Sequence, residues 1–200
     1  MEKQFVPFFQ SNVSISTIVI IAILVIIYLI YVSLIKKKNN VREAFSSIDV
    51  QLKKRYDLIP NILFIANKFM EHERELLTNI TKLRSEAAKM PADMTKAQEK
   101  IDLDNKISSL MGQLMVAVEN YPQLKSDQTM IQAMQTYSEQ EEHIAAARRF
   151  YNAAVKDLNN AVEIFPSSVM ALILNIKTMP FIEADETERQ RIDASQYFTK

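Results

Sequence analysis

The chain has 200 residues, with 24 Lys+Arg balancing 24 Asp+Glu, no cysteine and a single glycine. A neutral balance gives no basic footprint for nucleic acid, and without cysteine there are no disulfides, thiolate nucleophiles or Cys-based metal sites. One glycine excludes phosphate-cradling loops, Rossmann turns and most hairpins, which need its positive φ; the expected fold class is therefore all-α.

Residues 1–14 read as a short N-terminal segment. Ile15 to Ile35, ISTIVIIAILVIIYLIYVSLI, then runs 21 residues without a charge. At 1.5 Å per residue it spans about 30 Å, the thickness of a bilayer's hydrocarbon core. A cleaved signal has a shorter apolar region, a basic leader and a small-residue cleavage site; here the basic residues Lys36, Lys37, Lys38 and Arg42 follow the run instead. The segment reads as a retained anchor. Those four cations also set topology, with the N-terminus outside and the C-terminal body cytoplasmic.

From Val41 the apolar positions advance by four and three: Val41, Phe45, Ile48, Leu52, Arg55, Ile59, Ile62, Ala66, Phe69, Glu73, Leu76, Ile80, Leu83 and Ala87. Such a seam suits an antiparallel helix partner. Its phase does not slip at Pro60, which favours one long kinked helix to Ala87 over two helices reversed at the proline. The reversal, which would give four separate helices, stays open. Met90 to Lys96 is the first connection. A second helix then runs to about Asn120, its stripe including Ile101, Ile107, Leu110, Leu114, Val116 and Val118. Gly112 lies inside it, either as a tolerated residue or as a close-contact site.

Tyr121 to Asp127 is the next connection, with Ser126 or Asp127 as the N-cap of the following helix. That helix has the longest pattern: Met130, Met134, Tyr137, Glu141, Ile144, Arg148, Tyr151, Val155, Leu158, Val162 and Phe165, with Pro166 ending it. The apolar stretch 169–176, VMALILNI, is too short to span a bilayer and is expected to pack on the end of the bundle. The organisation is thus an anchor at 15–35, a helical bundle at 36–180, and a polar tail at 181–200 whose composition predicts disorder.

No catalytic constellation emerges from the residues. Di-iron bundles need Glu-x-x-His on two helices, yet Phe69 precedes His72 by three and Gln140 precedes His143. Asp102 to Gln113 opens like a calcium loop, but Ile107 stands at the glycine position and Gln113 at the bidentate glutamate. No catalytic residue, metal ligand or cofactor is therefore assigned.

The charges are more informative. Arg55 lies on the first seam, and Glu141 and Arg148 lie seven apart on the last. A seam charge costs stability unless it is paired across helices. Asp49 and Asp57 are the expected partners of Arg55 and Arg148. Two readings stand: the charges fix helix register, or with Lys54 and Arg149 they offer a polar face to a partner. In IAAARRFYN, Ile144 to Asn152, the alanines permit close helix approach, with Phe150 and Tyr151 filling the adjoining holes and Arg149 reaching a carboxylate.

Taken together, AFSSIDVQLKKRYDLIPN, EHERELL, VAVENYPQLKSD and HIAAARRFYNAAVKDLNNAVEIFP resemble the signature segments of the LemA family of bacterial membrane proteins, in order from Val41 to Pro166. The resemblance implies a single-pass N-terminal anchor in the bacterial plasma membrane and an elongated antiparallel, up-and-down, four-helix-type bundle on the cytoplasmic side. It also implies either a turn at Pro60 or a fourth helix at 169–176. One departure is visible: after the FP step, where relatives often carry glycine and phenylalanine, this chain has VMALILNIKTMPFIE. The resemblance supplies no reaction.

The resulting expectation is a membrane-anchored scaffold or adaptor. It contacts lipid through 15–35, binds a protein partner and is open to homo-oligomerisation, with no nucleic acid. The alternative is a membrane-organising protein acting by self-association and anionic-lipid contact through the juxtamembrane lysines.

Overall fold

The computed structural model describes residues 15–183; the expectations for 1–14 and 184–200 lie outside the described residues. Among them every regular element is helical: α1 Ile15–Ala66, α2 Arg74–Lys89, α3 Ala97–Val118 after a 3₁₀ turn at Met94–Lys96, α4 Pro122–Lys125, α5 Gln128–Glu163 and α6 Ser167–Ile173.

The first helix is 52 residues long and carries both the apolar span and the first bundle seam without a break. It is the one helix among the described residues long and apolar enough to cross a membrane. The protein is accordingly a membrane protein. Beyond the span, the buried face of α1 keeps the seam from Val41 to Ala66.

Pro60 sits inside α1, so the chain does not reverse there. Proline has no N–H to give the carbonyl four residues back, which leaves the Tyr56 oxygen without its helical donor. Arg84 of α2 supplies one: its Nε donates to Tyr56 O at 3.1 Å. The proline's missing bond thus becomes a docking point for the next helix.

The long helix does not continue to Ala87, as the unbroken phase suggests. The chain reverses at 67–73, closed by Lys68 N donating to Ile65 O at 3.2 Å and Phe69 N to Ala66 O at 3.0 Å, with Met70 buried beneath. Seven connecting residues equal two helical turns, so α2 resumes the seam in the same phase and Ile80 and Ala87 still face the core.

Helix directions follow from the pairings. Phe45 meets Tyr151 edge-on at 6.3 Å between ring centroids, and Arg55 meets Glu141, so residue numbers rise along α1 as they fall along α5. Asp49 pairs with Lys100 and Arg55 with Asp104, so α3 runs parallel to α1.

Local chemistry sets several boundaries. Asp93 accepts from Thr95 N at 2.9 Å to open the 3₁₀ turn, and Asp127, rather than Ser126, caps α5 by accepting from Met130 N at 2.9 Å. The last helix ends in a Schellman motif built on asparagine. Asn175 takes φ 50°, Ile176 N donates to Ala171 O at 2.9 Å, and Asn175 N donates to Leu172 O at 3.2 Å.

The chain then returns along α5, held by two asparagines seven residues apart. Asn159 exchanges bonds of 2.9 and 2.8 Å with the Met179 backbone, and Asn152 two of 2.9 Å with that of Ile182. Ile182 is buried, so ordered packing reaches past residue 180. Three placements differ from the sequence reading: Val116 and Phe165, expected on the stripes, and Phe150, expected to fill a hole beside the alanines, are all exposed. Each lies near a helix end or just outside the stripe, where no neighbouring helix covers it. Nothing stands within 4 Å of a Cβ built on Gly112, which makes it a tolerated residue and not a contact site.

Candidate functional site

The most unusual chemistry lies in the middle of the bundle, where four charged residues are buried: Asp49, Arg55, Lys100 and Asp104. Arg55 is 1% exposed and Asp104 fully buried. Arg55 Nη1 donates to Asp104 Oδ2 at 3.0 Å, and its Nη2 donates to Ser108 Oγ at 2.7 Å and to Glu141 Oε2 at 3.0 Å. The guanidinium also lies over the Tyr137 ring at 4.5 Å. A single α1 side chain therefore engages α3 and α5 together. Arg's fork of donors suits this in a way that a lysine ammonium does not.

From α5, Arg148 Nη2 donates to Asn105 Oδ1 at 2.9 Å and reaches Asp104 Oδ2 at 3.5 Å. A second buried pair, Lys100 with Asp49, joins α3 to α1 closer to the span, and Lys53 adds to Asp49 at 3.1 Å. Asp57 pairs at the surface with Arg84 at 3.7 Å.

The expected partnerships are therefore corrected. Asp49 and Asp57 do not serve Arg55 and Arg148; Asp104 serves both. Position along a helix specifies a face, whereas which carboxylate lies across from it depends on how α3 sits between α1 and α5. Lys100 and Asp104, one turn apart on α3, are the residues that the sequence reading misses. A signal for them exists, since the two charges flank and enter the Ile101–Ile107 stripe. Glu141 and Arg148 do lie in the cluster, as their seam positions suggest. Lys54 and Arg149 are exposed and stay outside it, with no charge partner among the described residues.

The electrostatics follow from burial. Burial raises the Asp104 carboxyl above its ordinary value, and the opposing pull of Arg55 and Arg148 does not cancel it. For Arg55, burial works against the charge, but Asp104, Tyr137 and Glu141 outweigh it and hold the guanidinium above the usual arginine range. Desolvation likewise pushes the Tyr56 and Tyr137 hydroxyls far up, keeping both neutral. At Asp49 burial also opposes ionisation, yet the hydrogen bonds from Lys100 and Lys53 prevail and its pKa falls. Among the described residues, no group of three or more His, Cys, Asp or Glu side chains is placed to hold a metal ion. Nothing in the cluster pairs a nucleophile with a base.

A second feature lies at the end of the bundle far from the span. A cleft between α1 and α2 has Ile59, Leu63, Phe64 and Leu77 along its floor, with Arg74, Lys82, Arg84 and Lys89 against one acid, Glu86, around it. Phe64 is exposed and stacks under the Lys68 ammonium at 4.5 Å.

Comparison with known sequences finds relatives over most of the chain. Protein LemA of Metamycoplasma hominis is 28% identical over 173 residues, covering 84% of this chain and 78% of that protein. Magnetosome protein MamQ 1 of Paramagnetospirillum magneticum is 20% identical over 191 residues, 84% of this chain and 70% of its own. Magnetosome protein MamQ of Magnetospirillum gryphiswaldense is 20% identical over 194 residues, covering 86% and 71%. None of these names states a reaction. The LemA family model matches residues 44–195, three quarters of the sequence and all of the bundle beyond the first turn of its seam, and the chain belongs to the LemA family.

Proposed function

We propose that the protein is a single-pass membrane-anchored helical scaffold, not an enzyme, which binds a protein partner at the cytoplasmic face of the bacterial plasma membrane. The span at 15–35 followed by Lys36, Lys37, Lys38 and Arg42 supports an outside N-terminus and a cytoplasmic bundle. The buried cluster serves registry: sliding α3 or α5 by a turn strips Arg55 of its partners, a use well attested for buried polar groups. Because those charges are consumed internally, partner recognition falls to other surfaces.

The observation that carries the reading is the distal cleft, an apolar floor with four cations and one acid around it; Arg84 is held by Tyr56 and Asp57, which leaves Arg74, Lys82 and Lys89 to face a partner. That pattern suits an amphipathic helix with acidic flanks, laid with its apolar face down. Lys54 and Arg149, exposed and outside the cleft, are separate candidate contacts for a partner.

In-cell crosslinking of the full-length protein, with mass spectrometry of the captured species, tests the proposal. The expected result is a heterologous acidic segment linked to Lys82 or Lys89. Its capture is reduced by Phe64→Glu, and by charge reversal at Lys54 or Arg149, while the bundle still melts normally. Links solely between copies of this chain would overturn the adaptor reading in favour of self-association at the membrane. Capture unaffected by Phe64→Glu would remove the cleft as the contact.

A further inference from the structure

The short helix α6 carries an apolar surface that the bundle leaves uncovered: Leu172 is 82% exposed, Phe165 78% and Ile173 71%. From Ile164 to Ile176 there is no charged residue, and Glu163 and Lys177 bracket the stretch. Across a shallow cleft, Phe165 and Ile173 face Ile23, Ile26, Ile27 and Ile30 of α1. Those four residues belong to the membrane span, not to the bundle.

Height along α1 can be counted from Lys36, the first charge after the span. Ile30 and Ile23 lie six and thirteen residues before it, about 9 and 20 Å into the hydrocarbon at the helical rise. The α5 register agrees independently. Tyr151 lies opposite Phe45 and Glu141 opposite Arg55, which carries the end of α5 at Glu163 to the level of Ser33. Everything between Glu163 and the return of the chain therefore lies on the membrane side of Lys36.

We infer that α6 and the turns flanking it form a re-entrant loop, inserted beside α1 into the bundle-proximal leaflet with lipid acyl chains against Leu172, Phe165 and Ile173. Thirteen uncharged residues are too few to cross a bilayer and suit a segment that enters and leaves by the same face. Lipid tolerates irregular backbone only where its polar groups are bonded. That condition is met at the C-terminal end of α6 by the Schellman bonds of Asn175 and Ile176. At the N-terminal end it is met in part: Pro166 brings no N–H, Ser168 N donates to Ile164 O at 3.0 Å, and Ser167 Oγ donates to the same oxygen at 2.9 Å. By the same count Glu163 lies about 5 Å inside the level of Lys36, and Lys177 lies two residues before the Met179 bond to Asn159, so both charges stay at the edge of the hydrocarbon, within side-chain reach of the headgroups. This rests on the anchor at 15–35 and is independent of the adaptor role.

The absence of cysteine permits single-cysteine labelling of the otherwise unaltered full-length chain. The variants Val25→Cys, Leu172→Cys, Ile173→Cys and Val116→Cys all lie at exposed positions, so each is expected to fold. They carry an environment-sensitive fluorophore in phosphatidylcholine–phosphatidylglycerol vesicles containing acyl-chain doxyl lipids. Quenching of L172C and I173C to the extent seen for V25C, with V116C unquenched, is the expected result. If V25C is quenched while L172C and I173C behave like V116C, the loop lies outside the bilayer and the inference fails. It fails equally if they are unquenched but shielded from an impermeant maleimide, since a protein then covers them. Should V25C itself be unquenched, the anchor fails and the loop with it.

Discussion

Replacing Arg55 with methionine keeps most of the side-chain volume and removes the charge that Asp104 faces. Asp104 would retain Arg148 at 3.5 Å as its one charge partner among the described residues, in a site with no solvent exposure. Removing one member of a buried ion pair costs about 3–5 kcal/mol, because the survivor stays buried and charged. Protonation limits that penalty. A carboxyl with an ordinary value of 3.8 must be neutralised across 3.2 pH units to be uncharged at pH 7. At about 1.36 kcal/mol per unit this comes to about 4 kcal/mol, so the Asp104 contribution cannot exceed that figure.

The size of the loss should also depend on pH. A carboxyl whose folded pKa is raised destabilises the fold increasingly as pH rises above its unfolded value. Lowering the pH from 7 to 5 should therefore narrow the gap between Arg55→Met and the wild-type chain by up to about 2.7 kcal/mol, the two units at the same rate. The wild-type Asp104 is itself already raised, which makes that figure an upper bound. Urea unfolding followed by helical ellipticity, in detergent micelles at both pH values, measures it. Adding Asp104→Leu should recover most of the loss, since two apolar residues then meet. A penalty below about 1 kcal/mol, or one unchanged between pH 5 and pH 7, would refute the idea that Arg55 neutralises a buried carboxylate.

Other outcomes follow from single contacts and the same unfolding assay. Arg84→Met leaves the Tyr56 carbonyl without a donor and should cost about 1–3 kcal/mol, whereas in a Pro60→Ala background the new N–H takes that carbonyl and the cost should largely vanish. Gly112→Ala is expected to stabilise α3 by about 1 kcal/mol, because the added methyl meets only open space. Asp49→Asn should be the less stable protein at pH 7. Since the folded pKa of Asp49 is depressed, the wild type loses that advantage as pH falls below about 3.8, and the two acid unfolding curves should converge there.

The anchor and the helical seams are legible in the sequence because each is a one-dimensional property: an uncharged run, or a stripe with helical period. Arg55, Glu141 and Arg148 are legible as charges out of place on such a stripe. Their partners are not, because Asp104 and Lys100 reach them only after α3 is laid beside α1. Asp104 also sits in a stretch that opens like a calcium loop, which draws attention to coordination instead of pairing. The reversal at 67–73 is hidden by arithmetic. A connector of seven residues preserves the heptad step, and 67–73 turn without glycine. The backbone clamps at Asn152 and Asn159 leave no trace that a pattern search would find, since asparagine on a helix flank ordinarily faces water.

A helix of 52 residues measures about 78 Å, and here it has no linker between lipid and bundle. From Lys36 to Phe64 the same rod rises about 42 Å. The distal cleft is therefore carried at a fixed height and a fixed azimuth relative to the anchor, like a mark on a ruler standing on the membrane. On the proposed docking, a partner would be selected by reach as well as by shape: one hugging the bilayer would fall short, and one spanning the gap would be held at a defined distance from it. Rotating the anchor within the membrane would swing the cleft through the same angle, so contacts made inside the bilayer can set the direction in which the far end points.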